Sequence, residues 1–162
     1  MIQSNNDNHE VECMTIEKLK DLAFFPGCSL ATSALENYES LRFFCREIGY
    51  RLVEISDWNC CGSSSAHAIK PELAIALASR NLALMADCDQ VLIACPSCYK
   101  RLSQTYLRIK SDPEARSVFT RNWGDRFNPD LEITPFLSFL AEQRFARPGS
   151  RFSDRLRGLR FV

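Results

Sequence analysis

The sequence has no excess of charge of either sign, because twenty Lys and Arg balance twenty Asp and Glu over 162 residues. Without a net positive field nothing drives non-specific attachment to nucleic acid, and that class of partner is set aside. It also lacks an apolar run approaching the roughly 20 residues that cross a membrane. The opening residues, Met1 to Glu12, are polar and acidic, with neither the basic start nor the apolar stretch of a secretory signal. These absences predict a cytoplasmic protein that does not insert into a membrane itself, any membrane role coming through a partner. With 46% hydrophobic and 25% charged residues, the composition is that of a globular chain with a real core, and one domain is expected.

What the sequence does hold is cysteine, eight in all. In a reducing compartment clustered thiols point to metal binding or redox catalysis more than to structural disulfides. The stretch Asp57-Trp58-Asn59-Cys60-Cys61-Gly62-Ser63-Ser64-Ser65-Ala66-His67 carries two adjacent cysteines. Cys28 lies 32 positions before Cys60, in Phe24-Phe25-Pro26-Gly27-Cys28-Ser29-Leu30, and Cys95-Pro96-Ser97-Cys98 begins 34 positions after Cys61. The other three have blander contexts. Cys13 has no periodic surroundings, Cys45 lies on an apolar helical stripe, and Cys88 falls near a helix end; packing accounts for the last two.

The pattern along the chain alternates strand and helix four times. Leu22-Ala23-Phe24-Phe25 reads as a buried strand stopped by Pro26-Gly27. Ser33 is placed to cap a helix whose stripe is Leu35, Tyr38, Leu41, Cys45 and Ile48, ended by Gly49. A second strand follows at Tyr50 to Ile55, then the Cys60-Cys61 loop, then a helix opened by Pro71 and continuing through Met85. Gln90 to Ala94 reads as a central parallel strand, and Pro96 opens a helix with Cys98 in its first turn and Leu102, Tyr106 and Ile109 inward. After a polar helical stretch from about Pro113 to Arg121, Leu131 to Thr134 forms the fourth strand and Pro135 opens a helix with Leu137, Leu140 and Ala141 inward. This order predicts an α/β fold, a parallel four-stranded sheet flanked by helices. Ligands of such sheets bind beyond the carboxyl ends of the strands, where Cys28, Cys60, Cys61, Cys95 and Cys98 would gather.

Five converging thiolates suit an iron–sulfur cluster, for which a Cys-x-x-Cys pair with remote cysteines is a common form. An ordinary cubane needs four, and neighbouring side chains such as those of Cys60 and Cys61 diverge. The pattern therefore favours a larger or irregular cluster, or one spare thiol. Structural zinc is an alternative, although zinc ligands usually come as two close pairs. A thiol redox site, with Cys60-Cys61 as a vicinal disulfide or Cys95-x-x-Cys98 as a couple, leaves Cys28 without a role.

From Leu22 to Ala141 the chain resembles the cysteine-rich catalytic polypeptide of heterodisulfide reductase, a family of CCG domains with the pattern Cys, Cys-Cys-Gly, Cys-x-x-Cys. The resemblance is carried by Phe24 to Leu30, Asp57 to Gly62 with His67, Arg80-Asn81-Leu82-Ala83, and Cys95 to Leu102. It implies a non-cubane [4Fe-4S] cluster bound by Cys28, Cys60, Cys61, Cys95 and Cys98. The implied activity is reduction of a disulfide, such as the coenzyme M-coenzyme B heterodisulfide, between two such domains. The implied partners are a ferredoxin-like protein that delivers electrons and a flavoprotein that feeds it, both belonging to the same reductase complex. His67 is a candidate proton donor to a leaving thiolate, or simply a surface histidine. Lys100 and Arg101 would attract an anionic substrate or dock a donor, or form a solvated helix face. Ser63, Ser64 and Ser65 are placed to donate hydrogen bonds to the cluster. The rival reading is a non-catalytic one-cluster electron-transfer or anchoring module of the succinate dehydrogenase, glycolate oxidase or lactate-utilisation type.

Lys18-Leu19-Lys20-Asp21-Leu22-Ala23-Phe24-Phe25 is echoed by Arg155-Leu156-Arg157-Gly158-Leu159-Arg160-Phe161-Val162, after Arg147-Pro148-Gly149-Ser150 of linker composition. The expected organisation is a flexible lead-in over 1–20, a CCG domain over 21–146, and a linker with the start of a second domain over 147–162.

Overall fold

The computed structural model describes residues 19–63 and 65–143, without the side chains of Ser65 and His67. Cys13 and the 147–162 segment with its repeat therefore lie outside the described residues, as does most of the 1–20 lead-in. The elements are β1 (Lys20–Phe25), α1 (Gly27–Ala31), α2 (Leu35–Glu47), β2 (Tyr50–Glu54), α3 (Ser65–Ile69) and α4 (Pro71–Leu84). They continue with β3 (Gln90–Ile93), α5 (Pro96–Ser111), α6 (Pro113–Trp123), β4 (Glu132–Pro135) and α7 (Phe136–Glu142). The strands form one parallel sheet in the order β2-β1-β3-β4, so the expected α/β architecture is what forms.

Strand alternation sorts the core into two layers. Leu22, Phe24 and Leu92 face α2 and α7, packing with Leu41, Cys45 and Phe139. Phe25, Val91 and Ile93 face the other way, against Ala78 and Leu82 of α4, Leu102, Tyr106 and Ile109 of α5, and Phe119 of α6. Phe24 and Phe25 are both fully buried, one on each side, which is why this strand can sit in the interior of the sheet. Pro71, Pro96 and Pro113 each open a helix, where the missing N–H would have had no intrahelical partner.

From β1 the chain crosses one way to β2, and from β3 the other way to β4. Adjacent strands β1 and β3 thus flank the switch point of the sheet. Their register pairs Phe25 with Ile93, the last residues of both strands.

Several local expectations differ. Ser33 does not cap α2: the cap is Ala34, without a side-chain hydrogen bond, and the Ser33 hydroxyl turns back to the Ser29 carbonyl at 3.5 Å. α2 begins only at Leu35, after a turn over 32–34, so Ser33 falls one position before the cap. Leu35, expected on the inward stripe, is 52% exposed. In α7 the buried residue is Phe139, packed with Phe136 and Leu140, whereas Leu137 is 75% exposed and Ala141 also faces out. The inward face is therefore Phe136, Phe139 and Leu140, one residue and about 100° back from the expected one, and it buries the two aromatic rings in place of Leu137 and Ala141.

Cys45 is wholly buried, and burial pushes its thiol up to about 11. Cys45→Ser places a hydroxyl in a layer with no polar partner and is expected to cost about 1–3 kcal/mol in denaturant unfolding. In the native protein Cys45 should resist alkylation at pH 8 until the chain unfolds, as peptide mapping would show.

Candidate metal centre

Three loops at the carboxyl edge of the sheet supply the thiols. Cys28 lies three residues beyond Phe25, within α1, and Cys95 two residues beyond Ile93, so the paired ends of β1 and β3 deliver both to the switch point. Cys98 follows in the first turn of α5. The Cys60-Cys61 pair comes six residues after the end of β2, not directly off the strand as expected, and a longer loop has to be held in place.

A buried amide clamp holds it. Asn81 of α4 is fully buried; its Oδ1 accepts from the Asn59 N–H at 2.9 Å and its Nδ2 donates to the Asn59 carbonyl at 2.9 Å. The Asn59 side chain donates in turn to the Cys60 carbonyl at 2.8 Å and to the Leu77 carbonyl at 3.2 Å. Arg80 donates to the Asp57 carbonyl at 2.7 Å and the Asn59 Oδ1 at 2.9 Å, and its other amino group pairs with the Asp57 carboxylate. Asp57 has φ of 58°, a left-handed conformation that a short polar side chain tolerates. Trp58 packs edge-on against Phe25 and donates to Glu54 at 2.6 Å, which ties the loop to β1 and β2 together.

Two glycines let the loops close. A Cβ on Gly27, where φ is +75°, would stand 2.9 Å from Cys98 Sγ. On Gly62, where φ is +81°, it would stand 2.8 Å from the Ala74 Cα, so the turn after Cys61 lies directly on α4.

The thiols form a connected row. Cys28 lies within interacting reach of Cys60, Cys60 of Cys61, and Cys95 of Cys98. Cys61 and Cys98 share a hydrogen bond with the sulfurs 3.1 Å apart. Cys61 is held well below the usual thiol range, chiefly by that bond and further by the hydroxyl and N–H of Ser63. Cys98 is held high by the same bond and then by burial. Cys60 is pushed up, first by burial and then by its thiol neighbours, although the Gly62 N–H at 3.4 Å favours its thiolate. Cys61 and Cys98 are 3% exposed and belong to the main core; Cys60 and Cys95 are half-buried and Cys28 is exposed.

The remaining candidates separate cleanly. Ser63 donates to the Ser97 carbonyl at 2.8 Å and joins the Cys60-Cys61 loop to the Cys95-x-x-Cys98 turn, a bridge between serines that the sequence did not announce. His67 falls in α3, beyond the site loop, and its side chain, like Ser64, lies outside the described residues. Cys88 precedes β3, at the opposite edge of the sheet, and its carbonyl accepts from Asn128 at 2.8 Å. Among the described residues no three His, Cys, Asp or Glu side chains are grouped as a site for a single metal ion. The donor set is nevertheless soft sulfur throughout, the chemistry that selects iron–sulfur clusters, zinc or cuprous ions.

Asn81→Leu would leave the buried Asn59 N–H and carbonyl unpaired, each costing about 1–3 kcal/mol, and is expected to speed exchange of the Asn59 amide in hydrogen-exchange measurements. Gly27→Ala would force alanine into a left-handed conformation and set its methyl group 2.9 Å from the buried Cys98 Sγ, so it should lower the melting temperature by several degrees and weaken metal retention together.

A family model described as a cysteine-rich domain, CCG, matches residues 22–103, an interval that contains all five thiols and the Asn59-Asn81 clamp. The 8-methylmenaquinol:fumarate reductase membrane anchor subunit of Wolinella succinogenes is 30% identical over 125 residues. That alignment covers 76% of this chain and 44% of the relative, so the chain spans less than half of that protein's length. With the five cysteines, the glycines that admit them and the matched interval in agreement, this chain belongs to the CCG cysteine-rich domain family.

Proposed function

We propose that the chain is a one-cluster electron-transfer module of a larger oxidoreductase complex, with Cys28, Cys60, Cys61, Cys95 and Cys98 holding a [4Fe-4S] cluster of non-cubane type. The observation that carries this is the convergence of five thiols from three loops on the switch point of the sheet. A row of five sulfurs suits iron atoms distributed over several ångströms better than one tetrahedral ion. When bound, such a cluster supplies one-electron redox chemistry.

The protein's own part is to bind and screen. The Ser63 N–H favours the Cys61 thiolate while its hydroxyl ties the loop to the Ser97 carbonyl, the Asn81 clamp fixes the loop, and burial at Cys61 and Cys98 excludes water from the inner side. Exposure at Cys28 leaves the outer side open to a partner.

The disulfide-reducing activity suggested by the cysteine pattern gives way here to the rival reading. What supports that reading is the similarity to a relative named as the membrane anchor subunit of a fumarate reductase. In this reading the partners are the catalytic polypeptide of such a complex and a second CCG domain. The ferredoxin-like protein and the flavoprotein belong to the disulfide-reducing alternative. Among the described residues no helix is long and apolar enough to cross a membrane, so these residues would contribute the cluster and not the anchor. A cytoplasmic position is part of the proposal.

Anaerobic reconstitution is expected to give about four irons per chain with matching sulfide. One zinc per chain and no iron would overturn the cluster. Serine replacement of any of the five cysteines should abolish or alter the visible spectrum, whereas replacement of Cys13, Cys45 or Cys88 should leave iron content unchanged.

With reduced viologen as donor, the reconstituted chain should reduce no disulfide above the protein-free rate. Sustained turnover by the chain alone, followed by dye oxidation, would return the assignment to a disulfide reductase.

A further inference from the structure

Beside the thiols lies a pocket of about 330 Å³ lined by Ser63, Ser97, Lys100, Arg101 and Gln104. Among the described residues no carboxylate pairs with Lys100 or Arg101: the ion pairs of the fold engage Arg42, Arg51, Arg80 and Arg108. Two adjacent cations thus share one cavity with no counter-ion among the described residues. The Arg101 Nε is moreover shut off from solvent with no hydrogen-bond acceptor, an arrangement that costs free energy and leaves the guanidinium unsatisfied.

We propose that this pocket is a binding site for a small dianion, a dicarboxylate or a phosphate. Two cations match two negative charges, and the Ser97 and Gln104 side chains offer neutral hydrogen bonds beside them. The volume lies at the lower end of the range for small-molecule sites. Two of the lining residues also build the thiol site: Ser63 supports Cys61, and Ser97 lies between Cys95 and Cys98. An occupant would therefore sit against the same loops that hold the cysteines, and its presence would be felt there. Its purpose rests on the electron-transfer reading, but the binding itself does not.

The test is calorimetric titration of the reconstituted chain with succinate and, separately, with inorganic phosphate at low ionic strength. Saturable one-to-one binding by either probe supports the site, and the probe that binds more tightly identifies the class. Lys100→Gln and Arg101→Gln should each weaken it by about tenfold or more, whereas Arg121→Gln, which removes a cation on α6, should leave it unchanged. Gln104→Leu, on an exposed position, provides a variant that does not disturb the half-buried Arg101, and should weaken binding by several-fold. High salt should abolish it. No saturable binding by either probe, or equal losses in Arg121→Gln and Lys100→Gln, would overturn the proposal. Iron content measured on the same samples keeps the two readings apart: cluster present without binding sinks the pocket alone, and binding without cluster sinks the electron-transfer role alone.

Discussion

Phe25 stands opposite Ile93 in a parallel pair, and the thiol site depends on that register. Both residues are the last of their strands, and the chain leaves them toward opposite sides of the sheet. The gap that opens there is the place where an α/β sheet can accept a ligand. Cys28 and Cys95 leave from its two lips, two or three residues out, too short a distance for either to wander. A shift of one residue between β1 and β3 would carry Phe25 to the wrong face and one lip of the gap with it.

The third contribution is held differently. The Cys60-Cys61 loop starts from an edge strand, and its first cysteine comes six residues after that strand ends, so strand pairing cannot aim it. Asn81 does so from α4, with both ends of its amide spent on the backbone of Asn59. A buried amide is tolerable only when fully satisfied, and this one is. The same requirement makes it a strong positional constraint, since any displacement of the loop would strand several polar groups at once.

Much of this was legible in the sequence because the signals were of the strong kinds. Pro71, Pro96 and Pro113 marked helix starts, the apolar runs at Leu22 to Phe25 and Gln90 to Ala94 marked inner strands, and the parallel order then put the five cysteines at one edge. What escaped was set by tertiary contact. The phase of α7, which decided between Leu137 and Phe139, depended on where Pro135 ended a strand. Asn81 stood in the sequence only as part of the Arg80-Asn81-Leu82-Ala83 segment, with nothing to say that its amide would hold the Asn59 backbone. Nothing in the sequence said that a Gly27 Cβ would meet Cys98, although that contact explains why a glycine precedes the first cysteine. The reaction was harder still, because the motif specifies thiolates and thiolates specify a cofactor. Whether electrons are passed on or used in bond cleavage depends on what faces the cofactor from outside.

The gradient of burial along the thiols bears on that outside face. Cys61 and Cys98 are part of the core that packs α4 and α5 on the sheet, so the inner end of the row is built by the same contacts that build the fold. Cys60 and Cys95 stand at the margin, and Cys28 is open. A site meant to work within one domain would be expected to enclose its ligands on all sides, since water admitted to a cluster weakens every electrostatic interaction there. Here one wall is dense and, among the described residues, the other is open. The exposed Ile69 and Leu73, on α3 and at the start of α4, follow the cysteine loop, and the Lys100-Arg101 pocket borders Ser63 on that loop. Apolar and cationic surface beside a half-open thiol row is what the proposed module would present to the rest of its complex.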